Sequence, residues 1–192
     1  MSKLGIRDIC HMGIFVAVMA VCAQIRIPMP HGVPFTMQTF AVALAGIVLG
    51  ARRGALAAAV YVLLGAMGAP VFGGLSGGLG IVSGPTGGFI VTFPVIALAA
   101  GFGAGLNTRI ISVRIIYLVR GKILLGAALL AGTIVNLLAG MVWFAHITST
   151  DMPTAFAVCV LPFLAGDAIK MTMAAALGTA VKTALKKSGL LA

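Results

Sequence analysis

Two side chains of opposite charge, Asp167 and Lys170, stand in the run Leu161 to Thr179, LPFLAGDAIKMTMAAALGT, which is otherwise apolar, small or weakly polar. A separation of three puts both on one face of a helix. An ionised side chain near a bilayer centre costs at least ~2.5–3.5 kcal/mol on insertion scales, so such groups face a bundle interior and mark a binding or transport path. A carboxylate only accepts hydrogen bonds and an ammonium only donates them. The pair can therefore hold complementary groups of a small ligand, or it can neutralise itself and staple its helix to the neighbours. One amide, Asn136, lies in the middle of another apolar run, where it either bonds a neighbouring helix or points at substrate. No nucleophile–base constellation and no paired carboxylate accompanies these groups, which argues against an intramembrane enzyme. His11, His31 and His146 are scattered, and Cys10, Cys22 and Cys159 have neither metal-type spacing nor an even count, so neither a metal, a cofactor nor a disulfide is expected.

The elements that must position these groups follow from composition. Of 192 residues, 61% are hydrophobic and only 8% charged, and the mean hydropathy is +1.18. Such a chain cannot surround itself with a polar surface and reads as an integral membrane protein. A hydrocarbon core of ~30 Å takes about 20 helical residues per crossing. The expectation is one all-α domain over residues 1–192, a bundle of six transmembrane helices joined by short loops. The net charge of +10, from 13 Lys and Arg against three acids, is distributed between the apolar spans and does not indicate a nucleic-acid partner.

Span 1, Ile9 to Ile27, follows Lys3 and Arg7 and imitates a signal peptide, but no A-x-A site follows and further spans do, so it is expected to stay. Gly13, Ala17 and Ala20 give it a small-residue strip that another helix could approach closely. The segment Pro28 to Thr36, PMPHGVPFT, forbids a continuous helix and is expected to be a short ordered loop. Span 2, about Met37 to Leu49, is short for a full crossing and ends at Arg52-Arg53; span 3 runs from Gly54 to about Gly68. Ala69 to Gly88 is the longest irregular stretch, with eight glycines that could let backbone N–H groups approach a ligand. It lacks the G-K-[ST] of a phosphate-binding loop, which excludes nucleotide. Span 4, Phe89 to Leu106, is expected to bend near Pro94. A basic connector from Asn107 to Lys122 leads to span 5, Ile123 to Ile147, and span 6 covers Ala157 to Leu185.

Nearly all Lys and Arg fall at the amino terminus, the 2–3 and 4–5 connectors and the carboxyl terminus, so the positive-inside rule predicts both termini on the cytoplasmic side of the cell (inner) membrane. Arg26 alone sits at the opposite end, beside the first outer loop, where it snorkels or serves a site. The outer face then carries the Pro28 to Thr36 loop, the glycine-rich segment and the loop His146 to Met152, which are expected to converge with Asp167 and Lys170 on one cavity.

PFTMQTF at Pro34 to Phe40, GAMGAPVF at Gly65 to Phe72, GPTGGF at Gly84 to Phe89 and DAIK at Asp167 to Lys170 resemble the BioY family, the biotin-specific substrate-binding subunits of energy-coupling-factor vitamin transporters. The match spans most of the chain. The resemblance implies a six-helix bundle that binds biotin from outside, together with a transmembrane coupling subunit and two cytoplasmic ATPases, and leaves a homo-oligomer open. Carried onto this sequence, it implies a biotin site built from Gln38, Phe72, Gly84, Pro85, Thr86, Gly87, Gly88 and Phe89 with Asn136, Asp167 and Lys170. It also implies a coupling-subunit face at Gly13, Ala17 and Ala20, where Gly13 departs from the A-x-x-x-A pattern common in this transporter class. A self-sufficient secondary transporter is the alternative reading, for which inverted repeats would speak; none is visible.

Overall fold

The computed structural model describes residues 5–29, 32–106 and 114–190; Lys3, His31 and Asn107, named above, lie outside them. Among the described residues nine helices follow in order: α1 Ile6–Gln24, α2 Gln38–Leu49, α3 Ala51–Ala66, α4 Leu79–Val82, α5 Gly87–Val91, α6 Phe93–Leu106, α7 Arg114–Thr148, α8 Met152–Cys159 and α9 Leu161–Lys187. Four helical stretches are long and apolar enough to cross a membrane, Ile6–Gln24, Gly87–Leu106, Gly121–Thr148 and Met152–Lys187. The chain is a multi-pass membrane protein. With 12 and 16 residues, α2 and α3 reach only about 18 and 24 Å at 1.5 Å per residue, short of a ~30 Å core.

The bundle is organised around α2, of whose twelve residues ten are buried. A helix apolar on every side is a core helix, and α2 packs against α3, α6 and α9, while α6 also packs on α3 and α7. Small residues permit these approaches, as expected where lipid leaves no hydrophobic drive between helices. Gly46 lies on the Ala97 carbonyl of α6, and the Gly54 backbone so nearly touches Gly46 that an added Cβ would stand 2.6 Å from its Cα. In contrast α1 is largely uncovered, with Ile6, Ile9, Ile14 and Val21 all more than half exposed.

The segment after α1 is an antiparallel ribbon of β1 Arg26–Ile27 and β2 Phe35–Thr36, pairing Arg26 with Thr36 and Ile27 with Phe35. The bend expected near Pro94 is a break at Thr92, between α5 and α6. Pro94 supplies no N–H to the preceding turn, and the Thr92 hydroxyl instead donates to the carbonyls of Gly88 and Phe89 at 2.9 and 3.1 Å. Four expected boundaries move. The first span ends as a helix at Gln24, with Arg26–Ile27 in the ribbon; the glycine-rich stretch contains α4 and the start of α5, α7 is helical from Arg114, and the sixth span is two helices divided at Val160, where Pro162 in the first turn of α9 starts a new helix.

Candidate functional site

Asp167 and Lys170 face inward from α9, each 3% exposed, with Lys170 Nζ 2.5 Å from Asp167 Oδ1. The contact is an ion pair without hydrogen-bond geometry, and Oδ1 is buried with no hydrogen-bond donor. Among the described residues nothing else donates to this carboxylate, although a carboxylate offers about four lone-pair sites. Its partner is better held. Lys170 Nζ also donates to the Thr36 carbonyl at 3.0 Å and stands 3.9 Å from the Phe35 ring centroid. Its charge is thus answered by Asp167 and one of its three N–H donors by the Thr36 carbonyl.

Phe35 reaches this position because Gly166 has no side chain: the ring lies where a Cβ would be. It also packs against Phe163 of α9, ring centroids 5.8 Å apart. From Thr36 a polar chain continues across three elements. The Thr36 hydroxyl donates to Gln38 Oε1 at 2.9 Å, Gln38 Nε2 to the Tyr61 hydroxyl at 2.7 Å, and that hydroxyl to the Val71 carbonyl at 2.9 Å. This chain ties α9, the ribbon, α2 and α3 to the start of the glycine-rich segment.

These elements enclose a cavity of about 380 Å³, within the ~300–1,000 Å³ of small-molecule sites. Of the residues singled out from the sequence, Asp167, Lys170, Asn136, Gln38, Phe72, Thr86 and Phe89 form part of its wall. Asn136 spends its amide N–H groups on the Phe89 carbonyl at 2.8 Å and the Thr92 hydroxyl at 2.7 Å. It bonds the broken turn between α5 and α6, and its Oδ1 remains free of any donor among the described residues. Gln38 lines the cavity with both ends of its amide already engaged.

Gly84, Pro85, Gly87 and Gly88 do not line it. None of these glycines has a positive φ, and their lack of a Cβ serves helix packing. An added Cβ on Gly88 would stand 2.8 Å from the Ala139 carbonyl and that on Gly87 2.9 Å from Trp143 Nε1, while Trp143 Nε1 donates to the Gly84 carbonyl at 2.9 Å. The segment is the seat of α7, and its contribution to the cavity comes from Thr86 and Phe89. On α1, Gly13 and Ala17 share the exposed face with Ile14 and Val21, whereas Ala20 packs toward the core.

Several wall residues went unread in the sequence: Thr39, whose Oγ1 is buried with no partner, Thr36, Phe93 and Phe163. Thr39 carried a signal in hindsight, being a hydroxyl one position after Gln38 at the start of a helix otherwise apolar. A second cavity, about 370 Å³, lies between α7 and α9 and shares Asp167 and Leu137 with the first. No cluster of His, Cys, Asp or Glu able to hold a metal ion occurs among the described residues.

Comparison with known proteins identifies relatives of this chain and a shared fold. The chain is 38% identical over 168 residues to the "Probable biotin transporter BioY" of Pyrococcus horikoshii, covering 88% of this chain and 91% of that protein. It is 38% identical over 176 residues to the "Biotin transporter BioY" of Thermotoga maritima, covering 92% and 96%. A crystal structure of the S-component for biotin from an ECF-type ABC transporter superposes with a TM-score of 0.79 over 93% of this chain and 92% of that one, at 21% identity, which shows a shared fold. The family model for BioY matches residues 1–187, and this chain belongs to the BioY family.

Proposed function

We propose that this chain binds biotin in the cavity beside Asp167 and Lys170, as the substrate-binding subunit of an energy-coupling-factor transporter for biotin uptake, with no catalytic activity of its own. The observation that carries the reading is the unspent hydrogen-bonding capacity at the buried end of an aromatic-walled cavity. The ureido ring of biotin presents two N–H donors beside one carbonyl. Asp167 accepts a ureido N–H, and an open N–H of Lys170 donates to the ureido oxygen. The Thr39 hydroxyl, buried without a partner, and Asn136 Oδ1 offer further contacts, while Phe72, Phe89 and Phe163 of the wall cover the apolar part of the ring system.

The same reading takes α1, α2, α3, the α5–α6 pair, α7 and the α8–α9 pair as six spans with both termini cytoplasmic in the inner cell membrane. The ion pair of 3.0 Å between Asp8 and Arg53 supports it, because it joins the start of α1 to the start of α3 at the end where the positive-inside rule expects cytoplasm. The exposed face of α1 at Gly13 and Ala17 is the proposed seat of the transmembrane coupling subunit, to which two ATPases would attach. A homo-oligomer would use the same lipid-facing surfaces.

Equilibrium binding of labelled biotin to the purified protein, with other vitamins as competitors, tests the substrate. Selective binding of biotin is expected, and equal competition by unrelated vitamins would overturn the assignment. For the coupled role, vesicles containing this chain alone should not accumulate biotin against its gradient. Accumulation without ATPases or an ion gradient would refute that role.

A further inference from the structure

We propose that Arg26, at the ribbon end of the cavity, reads the carboxylate of the ligand, so that biotin lies with its ureido ring at Asp167 and Lys170 and its acidic tail against Arg26. The inference rests on the biotin reading above and adds a specificity-determining residue to it. Arg26 is part of the cavity wall, and its place is fixed by the ribbon: it pairs across the ladder with Thr36. Cross-strand partners project to the same face. Thr36 is also the residue whose carbonyl holds Lys170 Nζ at 3.0 Å, so one strand pair carries both Arg26 and the carbonyl that positions Lys170.

The Arg26 side chain lies along a turn made for it. A Cβ on Gly73 would stand 3.8 Å from both Arg26 Cδ and Thr36 Cγ2, and a Cβ on Gly74, whose φ is +77°, would come within 2.7 Å of Arg26 Nη1. Two glycines in succession thus leave room for the stem and then the guanidinium. That guanidinium has no acceptor among the described residues, although it carries five N–H donors in a fork that matches a carboxylate. Nor can the chain supply one from its acids. It has three: Asp8 pairs with Arg53, Asp167 pairs with Lys170, and Asp151 caps α8 through Thr154. A carboxylate that meets Arg26 therefore comes from outside, and biotin brings one on a flexible chain attached to the ring. The buried ammonium is a poorer reader of that tail, because its charge is already answered by Asp167 and one of its N–H groups by the Thr36 carbonyl.

The test is equilibrium binding of biotin and of biotin amide, which keeps the ring and lacks the charge, to the parent protein, Arg26→Ala and Arg26→Lys. Arg26 is exposed, so its pair with a carboxylate falls between a screened surface contact and a buried bidentate one, giving the parent roughly a 5- to 20-fold preference for biotin over the amide. Arg26→Ala should abolish that preference by weakening biotin alone, Arg26→Lys should restore part of it, and raising the salt concentration should narrow it in the parent. A preference that survives Arg26→Ala, or an equal loss of both ligands, overturns the proposal while leaving biotin as the substrate. A parent protein that binds neither ligand refutes the biotin reading and this proposal with it.

Discussion

Lys170→Met and Asp167→Asn remove the two halves of one ion pair, yet the structure predicts that they are not equivalent. With Lys170 gone, Asp167 is a carboxylate 3% exposed with no remaining donor among the described residues. Removing one partner of a buried pair costs about 3–5 kcal/mol, because the survivor is left uncompensated. With Asp167 made an amide, the ammonium keeps the Thr36 carbonyl at 3.0 Å and the Phe35 ring at 3.9 Å. The loss is then closer to that of one charged hydrogen bond, ~1.5–3 kcal/mol. The double variant Asp167→Leu with Lys170→Met removes both charges and should be close to the parent in stability. Thermal unfolding of the purified protein in detergent, without ligand, measures all three. The expected order is Lys170→Met least stable, Asp167→Asn intermediate and the double variant near the parent, although all three should lose biotin binding. If Asp167→Asn is the most destabilised, the ammonium depends on Asp167 far more than its other two contacts allow, and the asymmetry argued here is wrong.

Gly88→Ala should lower stability by about 1–3 kcal/mol through overpacking, since the new Cβ would meet the Ala139 carbonyl at 2.8 Å and Trp143; Trp143 is the sole tryptophan, so its emission should shift with the loss. Asn136→Leu frees the Phe89 carbonyl and the Thr92 hydroxyl and should cost ~1–3 kcal/mol in the unfolding assay, with no loss expected if the amide only faced ligand. Asp151 accepts hydrogen bonds from the backbone and side chain of Thr154, and these bonds hold its carboxyl below the ordinary value of 3.8. Because the folded-state value is the lower one, this contribution to the start of α8 is present above the unfolded value and lost as pH falls through the folded one. Amide exchange at Thr154 should accordingly quicken in Asp151→Ala at neutral pH, and an unchanged rate would show that the cap is idle.

What the sequence disclosed and what it concealed have a common physical cause. Charges inside an apolar run are so costly that Asp167 and Lys170 announce themselves without any knowledge of their neighbours, and the hydropathy of α1, α6, α7 and α9 does the same for the spans. Glycine carries no such single meaning. The run Gly84 to Gly88 reads equally well as backbone opened to a ligand or as a surface opened to a helix. The deciding residue, Trp143, is 59 positions from the Gly84 carbonyl it bonds. The same distance in sequence hides the second half of the charged site. Lys170 is held by a carbonyl 134 residues earlier, and Gln38 is satisfied by Tyr61 in the second half of α3, pairings that periodicity and composition do not encode. This division also orders the residues by role. Groups whose polar atoms are answered within the fold, such as Gln38, hold the cavity in shape, whereas groups with hydrogen-bonding capacity left open beside it, Asp167, Thr39 and Arg26, are the ones on which a ligand can act. A substitution of the first kind should change stability with or without biotin present, and one of the second kind should show its largest effect in the stabilisation that biotin adds.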